Sequence, residues 1–267
     1  MQLSELSIKK IRDGLSNRNA TIGSEIVFFH ETGSTNTAAT GLAAKGWREG
    51  TVIIADSQTE GRGSRGRTWV SPAGKNLYLS IIVRPGIPPW EASILTLMSA
   101  VACTSAIQRL SSVPVSIKWP NDLMAADKKI GGILTEMKAD ADKINYAVIG
   151  IGINLNLDIS DMPDSLRETA TSVMLQAGVL QSRTEYALEI IKSMDYWYTI
   201  LLESGKCPII ESWQHLSSTI GRAVTVTTGE IKLTGLAEGI DTEGLLILRL
   251  KDNSVMKISS GDVRITK

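Results

Sequence analysis

Cysteine and histidine are scarce in this sequence. Its 267 residues include two cysteines, Cys103 and Cys207, and two histidines, His30 and His215. Two distant cysteines exclude a disulfide framework, and two histidines are too few for a histidine-rich metal site. These shortages exclude small disulfide-bonded scaffolds and zinc centres built from histidine.

Long apolar runs and an excess of one charge are also missing. No run reaches membrane-spanning length, residues 1–14 are too polar for a signal peptide, and 28 basic residues balance 28 acidic ones. Balanced charge argues against a broad surface for nucleic acid or membrane. We therefore expect a cytoplasmic protein with neither a nucleic-acid nor a membrane partner.

Hydrophobic periodicity predicts two domains, residues 1–218 and 219–267. Strands and helices alternate in the first, and short alternating runs separated by turn residues predict a small all-β unit in the second. The predicted strands of the first domain cover residues 25–31, 51–57, 76–83, 113–119, 130–137 and 145–155, and the predicted helices cover 34–46, 90–110, 182–204 and 209–218.

The stretch "GRGSRGR" (61–67) is the first candidate for a binding site. Its G-x-G-x-x-G spacing and its near match to a phosphate loop both need a following helix, but Pro72, Gly74 and Asn76 prevent one. A kinase-type loop is disfavoured because no H-R-D or D-F-G motif follows. The remaining interpretations are a solvated hairpin and a flexible loop whose arginines bind an anion. The length of the loop and the nearby Trp69 favour the second.

Two further stretches have an unusual composition. In "KWPNDLMAADKKIGGILTE" (118–136), two lysines precede paired glycines that permit close approach, although lysines at a strand edge alone would simply be solvated. In "VIGIGINLN" (148–156), Gly150 and Gly152 remove side chains from one face of a strand. A flat group could lie on that face; the alternative is a bend or bulge.

Taken together and in this order, the segments resemble those of biotin protein ligases. The shared motifs are "GSTN" (33–36), the Q-T-x-G-R-G-x-x-G-R loop (58–67), "LYLS" (77–80), "KWPND" (118–122), K-x-G-G-I-L (129–134), G-x-G-x-N (150–154) and "ATS" (170–172). The resemblance runs from about residue 26 to the end of the chain. It implies an α/β catalytic domain, with a mixed, largely antiparallel sheet flanked by helices, followed by an SH3-like β-barrel. The implied enzyme joins biotin to ATP as biotinyl-AMP and then biotinylates a lysine of an acceptor protein.

The resemblance also implies site residues. Attack of a carboxylate on a phosphate brings two anions together, and the implied catalytic cations are Lys129, Arg62 and Arg67. The residues implied for biotin binding are Ser34, Thr35, Asn36, Gln58, Gly61, Arg62, Lys129, Gly131 and Gly132. Those implied for ATP and the adenylate are Arg65, Arg67, Trp69, Asn121, Asp122, Asn154 and Arg222. ATP implies Mg²⁺, whose ligands stay unassigned; Asp122 is a candidate for the metal or for the acceptor amine.

The implied partner is the biotin carboxyl carrier protein or domain of a biotin-dependent carboxylase. Many members of the family dimerise, so a homodimer is a further expectation. Only about 25 residues precede the first predicted strand, too few for the winged helix-turn-helix of the repressor members. The sequence therefore predicts the monofunctional type, without DNA binding.

One position departs from the family pattern. Ser64 stands where the loop usually has arginine, and a serine supplies no guanidinium fork. Either Arg65 substitutes for the missing arginine, or the loop retains biotinyl-AMP less tightly.

Other functions stay open at this point. The same superfamily contains lipoate ligases and octanoyltransferases, the latter with a cysteine nucleophile, but Cys103 lies in an apolar stripe that predicts a core position. A regulatory protein that binds biotin or biotinyl-AMP without transferring it is the other alternative. Lys129 and the loop arginines favour working chemistry, since a sensor needs only the pocket.

Overall fold

The computed structural model describes residues 6–16 and 19–266. The helices are α1 (Ile8–Leu15), α2 (Thr35–Ala44), α3 (Ser93–Leu110), α4 (Val173–Ala177), α5 (Arg183–Ser204) and α6 (Cys207–Leu216). The strands are β1 (Glu25–Thr32), β2 (Thr51–Gln58), β3 (Leu77–Val83), β4 (Ser116–Lys118), β5 (Asp122–Ala125), β6 (Lys128–Ala139), β7 (Ile144–Ile153), β8 (Ala223–Thr228), β9 (Ile231–Ile240), β10 (Leu246–Leu250), β11 (Val255–Ile258) and β12 (Asp262–Ile265).

A seven-stranded sheet forms the first domain, in the order β1-β2-β3-β7-β6-β5-β4. Only β1 and β2 are parallel neighbours; the other adjacent strands pair antiparallel. The predicted mixed, largely antiparallel sheet is confirmed. Strands β3, β7 and β6 lie side by side at its centre, so the motifs that they carry lie next to one another.

Helices cover both faces of this sheet. On one face, α3 packs against α5, α6 and β6 within the main core. On the other, α2 packs on β2, β3 and β7 around a second cluster that includes Ile53, Ile82 and Val148. The segment Pro89–Leu110 is long and apolar enough to span a membrane, but 67% of its apolar window is buried inside the domain. It is a core helix.

Two local predictions need correction. The strand predicted over 113–119 is limited to β4 because Pro114 has no N–H for a ladder, although Val113 and Val115 are buried. Strand β5 was not predicted, since its four residues follow the turn chemistry of Asn121 and are too short to show a period.

The second domain is a five-stranded sheet in the order β11-β10-β9-β8-β12. All its adjacent strands pair antiparallel, and alternate residues such as Val224, Val226, Leu246 and Leu248 are buried. The predicted all-β unit is confirmed. The boundary at residue 218 stays a prediction; it falls between the end of α6 and the start of β8.

Candidate active site

Two adjoining cavities open where the arginine loop (residues 61–67) crosses the ends of β6 and β7. The smaller cavity, of about 470 Å³, lies between this loop, the start of α2 and the glycine faces of the two strands. The larger cavity, of about 1250 Å³, extends toward β5 and residues 162–170. Gly63, Ser64, Trp69 and Lys129 line both cavities. A ligand that spans the two would therefore pass directly beside Lys129.

The glycine face of β7 is covered by two side chains of the protein itself. A Cβ atom at Gly150 would lie 2.1 Å from Asn36 Oδ1, and one at Gly152 would lie 2.7 Å from Trp69 Nε1. The flat group expected on this face is thus the Trp69 indole, with the Asn36 amide beside it. Glycine is required here because Asn36 and Trp69 must approach the strand closely.

Hydrogen bonds fix the polar end of the smaller cavity. Gln58 Oε1 accepts from the backbone N–H of Thr35 at 2.8 Å and from its hydroxyl at 3.1 Å. The buried Ser80 hydroxyl lies 2.8 Å from Thr35 Oγ1 and 2.6 Å from Asn36 Oδ1. Gln58 Nε2 donates to Ser71 Oγ at 2.9 Å. These groups are held in place before any ligand arrives.

The network continues to the first loop arginine. Asn36 Nδ2 donates to the carbonyl of Leu134 at 3.2 Å and to Glu136 Oε2 at 2.8 Å. Arg62 Nη2 donates to the same Glu136 oxygen at 2.5 Å. The polar end of the cavity therefore runs without a break from Gln58 to the Arg62 guanidinium.

Lys129 is held at the junction of the cavities. Its ammonium lies 2.5 Å from Asp122 Oδ1 and 5.4 Å from the centroid of the Trp69 ring. The other Asp122 oxygen lies 3.3 Å from Lys118 Nζ, and all four residues line the larger cavity. Asp122 is thus shared by two lysines and fixes the direction of the Lys129 side chain.

The other loop arginines are held by the second domain. Arg67 Nη2 donates to Asp262 Oδ1 at 3.1 Å and to Ser64 Oγ at 3.0 Å, and Arg67 Nε donates to the Ser64 carbonyl. Arg65 has the left-handed φ of 58° and lies 3.2 Å from the other Asp262 oxygen. The second domain therefore contributes a carboxylate to the loop.

Comparison with known proteins agrees with this geometry. Residues 28–154 match the Biotin/lipoate A/B protein ligase family, and residues 219–265 match the Biotin protein ligase C terminal domain. The chain is 36% identical to the Bifunctional ligase/repressor BirA of Bacillus subtilis over 98% of its own length and 79% of that protein. It belongs to the biotin protein ligase family.

Other biotin protein ligases support the same assignment. The Biotin--[acetyl-CoA-carboxylase] ligase of Paracoccus denitrificans is 32% identical, over 82% of this chain and 91% of that protein. The structure of the biotin protein ligase from Aquifex aeolicus in complex with biotin and ATP superposes with a TM-score of 0.79 at 26% identity, covering 91% of this chain and 100% of that one. The predicted fold class, including the SH3-like second domain, is confirmed.

Most of the predicted site residues of this biotin protein ligase lie together. Those that line the smaller cavity are Ser34, Thr35, Asn36, Gln58, Arg62, Trp69, Asn121, Lys129 and Gly132. Those that line the larger cavity are Arg67, Trp69, Asp122, Lys129 and Asn154. Lys129 and Arg62 both line the smaller cavity, and their roles as catalytic cations stay predictions.

Four predicted residues line neither cavity. Gly61 packs under the carbonyl of Trp69, and Gly131 packs against Ile153. Arg65 faces the second domain, and Arg222 is exposed at the start of β8. Their assignment to ligand binding stays a prediction. Arg65 was one candidate to substitute for the arginine that Ser64 replaces. The structure places Arg65 away from the two cavities and not in that position.

Four residues of the site were missed by sequence reasoning: Ser71, Ser80, Glu136 and Asp262. Ser80 carried a signal, because it is the one polar residue inside the apolar run "LYLSIIV" and is fully buried. Glu136 lies on β6 two residues beyond the K-x-G-G-I-L motif, outside the residues used for the resemblance. Asp262 gave no signal, since it contacts the loop across 195 residues of sequence.

Trp69 offers a further group to a ligand. Its indole Nε1 is buried and has no hydrogen-bond partner among the described residues. A buried N–H of this kind needs an acceptor. Because Trp69 lines both cavities, a polar ligand in either of them could supply it.

The cysteines lie outside the site. Cys103 is fully buried in α3, where burial raises the pKa of its thiol, and Cys207 is exposed at the start of α6. Neither lines the two cavities. A cysteine nucleophile, as in octanoyltransferases, therefore has no place in this site.

Proposed function

We propose that this biotin protein ligase activates biotin with ATP and transfers the biotinyl group to a lysine of a biotin carboxyl carrier domain. The observation that supports this most strongly is the placement of Lys129 at the junction of a small polar cavity and a larger one. Biotin occupies the smaller cavity and the nucleotide occupies the larger. The carboxylate and the α-phosphate then meet beside Lys129.

The smaller cavity fits the chemistry of biotin. Biotin has a polar ureido ring and an otherwise apolar body. Gln58, Thr35 and Asn36 offer fixed donors and acceptors at one end, while Ile133 and Ile151 line the wall of the same cavity. Such a combination of an apolar wall and a few placed polar groups is typical of small-molecule sites.

The first step joins two anions. A carboxylate oxygen of biotin attacks the α-phosphorus of ATP, the bond from that phosphorus to the bridging oxygen breaks, and pyrophosphate leaves. Lys129 and the Arg67 guanidinium, which line the larger cavity, offset the negative charge that accumulates, while Arg62 contributes to biotin binding at the polar end of the smaller cavity. Lys129 is held by Asp122 and Arg67 by Asp262, so little reorganisation is needed at the moment of reaction.

The second step makes the amide. The neutral amine of the acceptor lysine attacks the carbonyl carbon of biotinyl-AMP, the bond to the phosphate oxygen breaks, and AMP leaves. The amine loses a proton in this step. Asp122 is the candidate base for that proton, or the candidate ionic partner of the acceptor lysine as it approaches, because its carboxylate lines the larger cavity.

Magnesium fits as a companion of ATP rather than as a resident ion. No group of three or more metal-ligating side chains lies together in residues 6–16 and 19–266, but Asp122, Asp127 and Glu168 line the larger cavity. Mg²⁺ bound to nucleotide phosphates needs only one or two protein carboxylates. When bound, it would neutralise charge on the departing pyrophosphate.

Transfer of labelled biotin to a purified carrier domain tests the proposal. We expect incorporation that depends on ATP, and biotin-dependent exchange of pyrophosphate into ATP. A regulatory protein without transfer would bind biotin but label no acceptor.

Calorimetric titration with biotin and with lipoate tests the other alternative, a lipoate ligase. The dithiolane ring of lipoate would leave the buried groups of the polar network unpaired, so the site should reject lipoate. Tighter binding of lipoate than of biotin would overturn the proposal.

The Ser64→Arg variant is expected to release biotinyl-AMP about tenfold more slowly than the wild type, because a guanidinium at a position lining both cavities adds a charge-assisted hydrogen bond to the phosphate. Single-turnover release of labelled adenylate measures this. Ser64→Ala is the control for loss of the hydroxyl that accepts from Arg67. Equal release from Ser64→Arg and the wild type would contradict the assignment of the larger cavity to the adenylate.

A homodimer and a cytoplasmic location stay predictions. The first rests on the resemblance to the family and the second on the composition of the sequence. Analytical ultracentrifugation with and without biotin and ATP would measure the first.

A further inference from the structure

Glu136 lies toward the end of β6 opposite to Lys129. The two residues are seven positions apart on one strand, which places their backbones roughly 20 Å apart. The Lys129 side chain reaches toward Gly132, where its Nζ would lie 3.3 Å from an added Cβ. Glu136 contacts Asn36 and Arg62 of the polar end, whereas the Lys129 ammonium pairs with Asp122.

Glu136 supports the smaller cavity from outside its lining. It does not line that cavity, but it accepts hydrogen bonds from two residues that do, Arg62 at 2.5 Å and Asn36 at 2.8 Å. Glu136 and Arg62 together also line two further surface pockets. The pair thus forms the wall between the cavity and solvent.

The two side chains that donate hydrogen bonds to Glu136 differ in the other contacts that hold them. Asn36 is buried, and its amide is oriented by Ser80 and by the carbonyl of Leu134 as well. Arg62 follows a glycine in the arginine loop, and among the described residues its guanidinium pairs with the side chain of Glu136 alone. A charged acceptor holds two donors on one oxygen better than a neutral amide can.

We infer that Glu136 is a positioning residue that sets the affinity of the site for biotin by holding Arg62 and Asn36 at the polar end of the cavity. This inference rests on the proposed function. It assigns Glu136 no part in the reaction at Lys129. The residue should therefore affect the binding of biotin and leave the nucleotide and the chemical step unaltered.

The Glu136→Gln variant tests this with little change of shape. We expect its dissociation constant for biotin, measured by calorimetry, and its KM for biotin to rise about tenfold. The KM for ATP and kcat at saturating biotin should change by less than about twofold. Glu203→Gln is the matched control, because Glu203 is exposed on α5 and its helix lines neither cavity.

A double-mutant cycle with Arg62→Met tests whether Glu136 affects biotin binding through Arg62. If Glu136 acts mainly through Arg62, adding Glu136→Gln to Arg62→Met should weaken biotin binding by only about twofold more. A full tenfold effect in both backgrounds would overturn the role of Arg62. If the glutamine variant does not fold, Glu136→Asp, which keeps the charge but is one carbon shorter, is measured in its place. The expectation is the same: a higher KM for biotin with little change in kcat or in the KM for ATP.

The outcomes separate the inference from the proposed function. A wild type that does not bind biotin would contradict the proposed function itself. A wild type that binds biotin, with Glu136→Gln unchanged, would overturn the inference alone. A variant with an equal rise in the KM for biotin and for ATP, together with a lower Tm, would show a merely structural role and would overturn it as well.

Discussion

Lys129→Ala is expected to lower biotin-dependent exchange of pyrophosphate into ATP by about two to three orders of magnitude, the range found when one preorganised charge-stabilising group is removed. The physical reason is that two anions must approach at the junction of the cavities, where Lys129 lines both. Biotin binding alone should weaken much less, because the polar end of the smaller cavity is built from other residues.

Lys128→Ala is the matched control for this prediction. It removes the same charge from the neighbouring residue, whose ammonium donates to the carbonyl of Arg167 and does not line the two cavities. Near-normal exchange is expected in Lys128→Ala. If Lys129→Ala also retained normal exchange, the assigned role of Lys129 would be wrong, whatever the affinity for biotin.

Gly150→Ala is expected to weaken biotin binding and turnover by about a hundredfold, the scale on which a displacement of about 1 Å at a site reduces activity. The new methyl group would lie 2.1 Å from Asn36 Oδ1, so the amide must leave the strand. Its bonds to Ser80 and Glu136 would be lost with it. Overpacking at a buried position should also cost about 1–3 kcal/mol of stability.

Gly41→Ala provides the comparison for Gly150→Ala. Gly41 lies within α2, and a Cβ there would meet no atom within 4 Å. Because glycine inside a helix is less favourable than alanine by about 0.5–1 kcal/mol, this variant should be slightly more stable than the wild type. Calorimetry gives both binding and Tm. Normal biotin binding by Gly150→Ala would show that Asn36 does not shape the pocket.

The sequence could predict the arrangement of residues that lie close together within one motif. The spacing of Gly150 and Gly152 predicted a strand with one bare face, and the structure confirms the strand and the bare face. The rejection of a helix after the arginine loop also holds, since the next strand or α-helix is β3. What covers the bare face was not readable, because Trp69 reaches Gly152 through the folding of the loop and not through local periodicity.

Partners of the loop arginines could not be predicted for the same reason. Glu136 is 74 residues from Arg62, and Asp262 is 195 residues from Arg67. Arg222, the cation expected from the second domain, is exposed and lines neither cavity, so its part in the site stays a prediction. Charge pairing between domains depends on how they pack, which the pattern of either domain alone does not contain.

The contact of Asp262 with Arg65 and Arg67 has a consequence for how such chains diverge. Grafting the C-terminal unit of one relative onto the N-terminal unit of another would mismatch these two ion pairs and would also divide one hydrophobic cluster, since Val224 and Leu246 belong to the same cluster as residues of the first domain. Chimeras of that kind should catalyse poorly even where they fold, and selection should therefore act on the two units together.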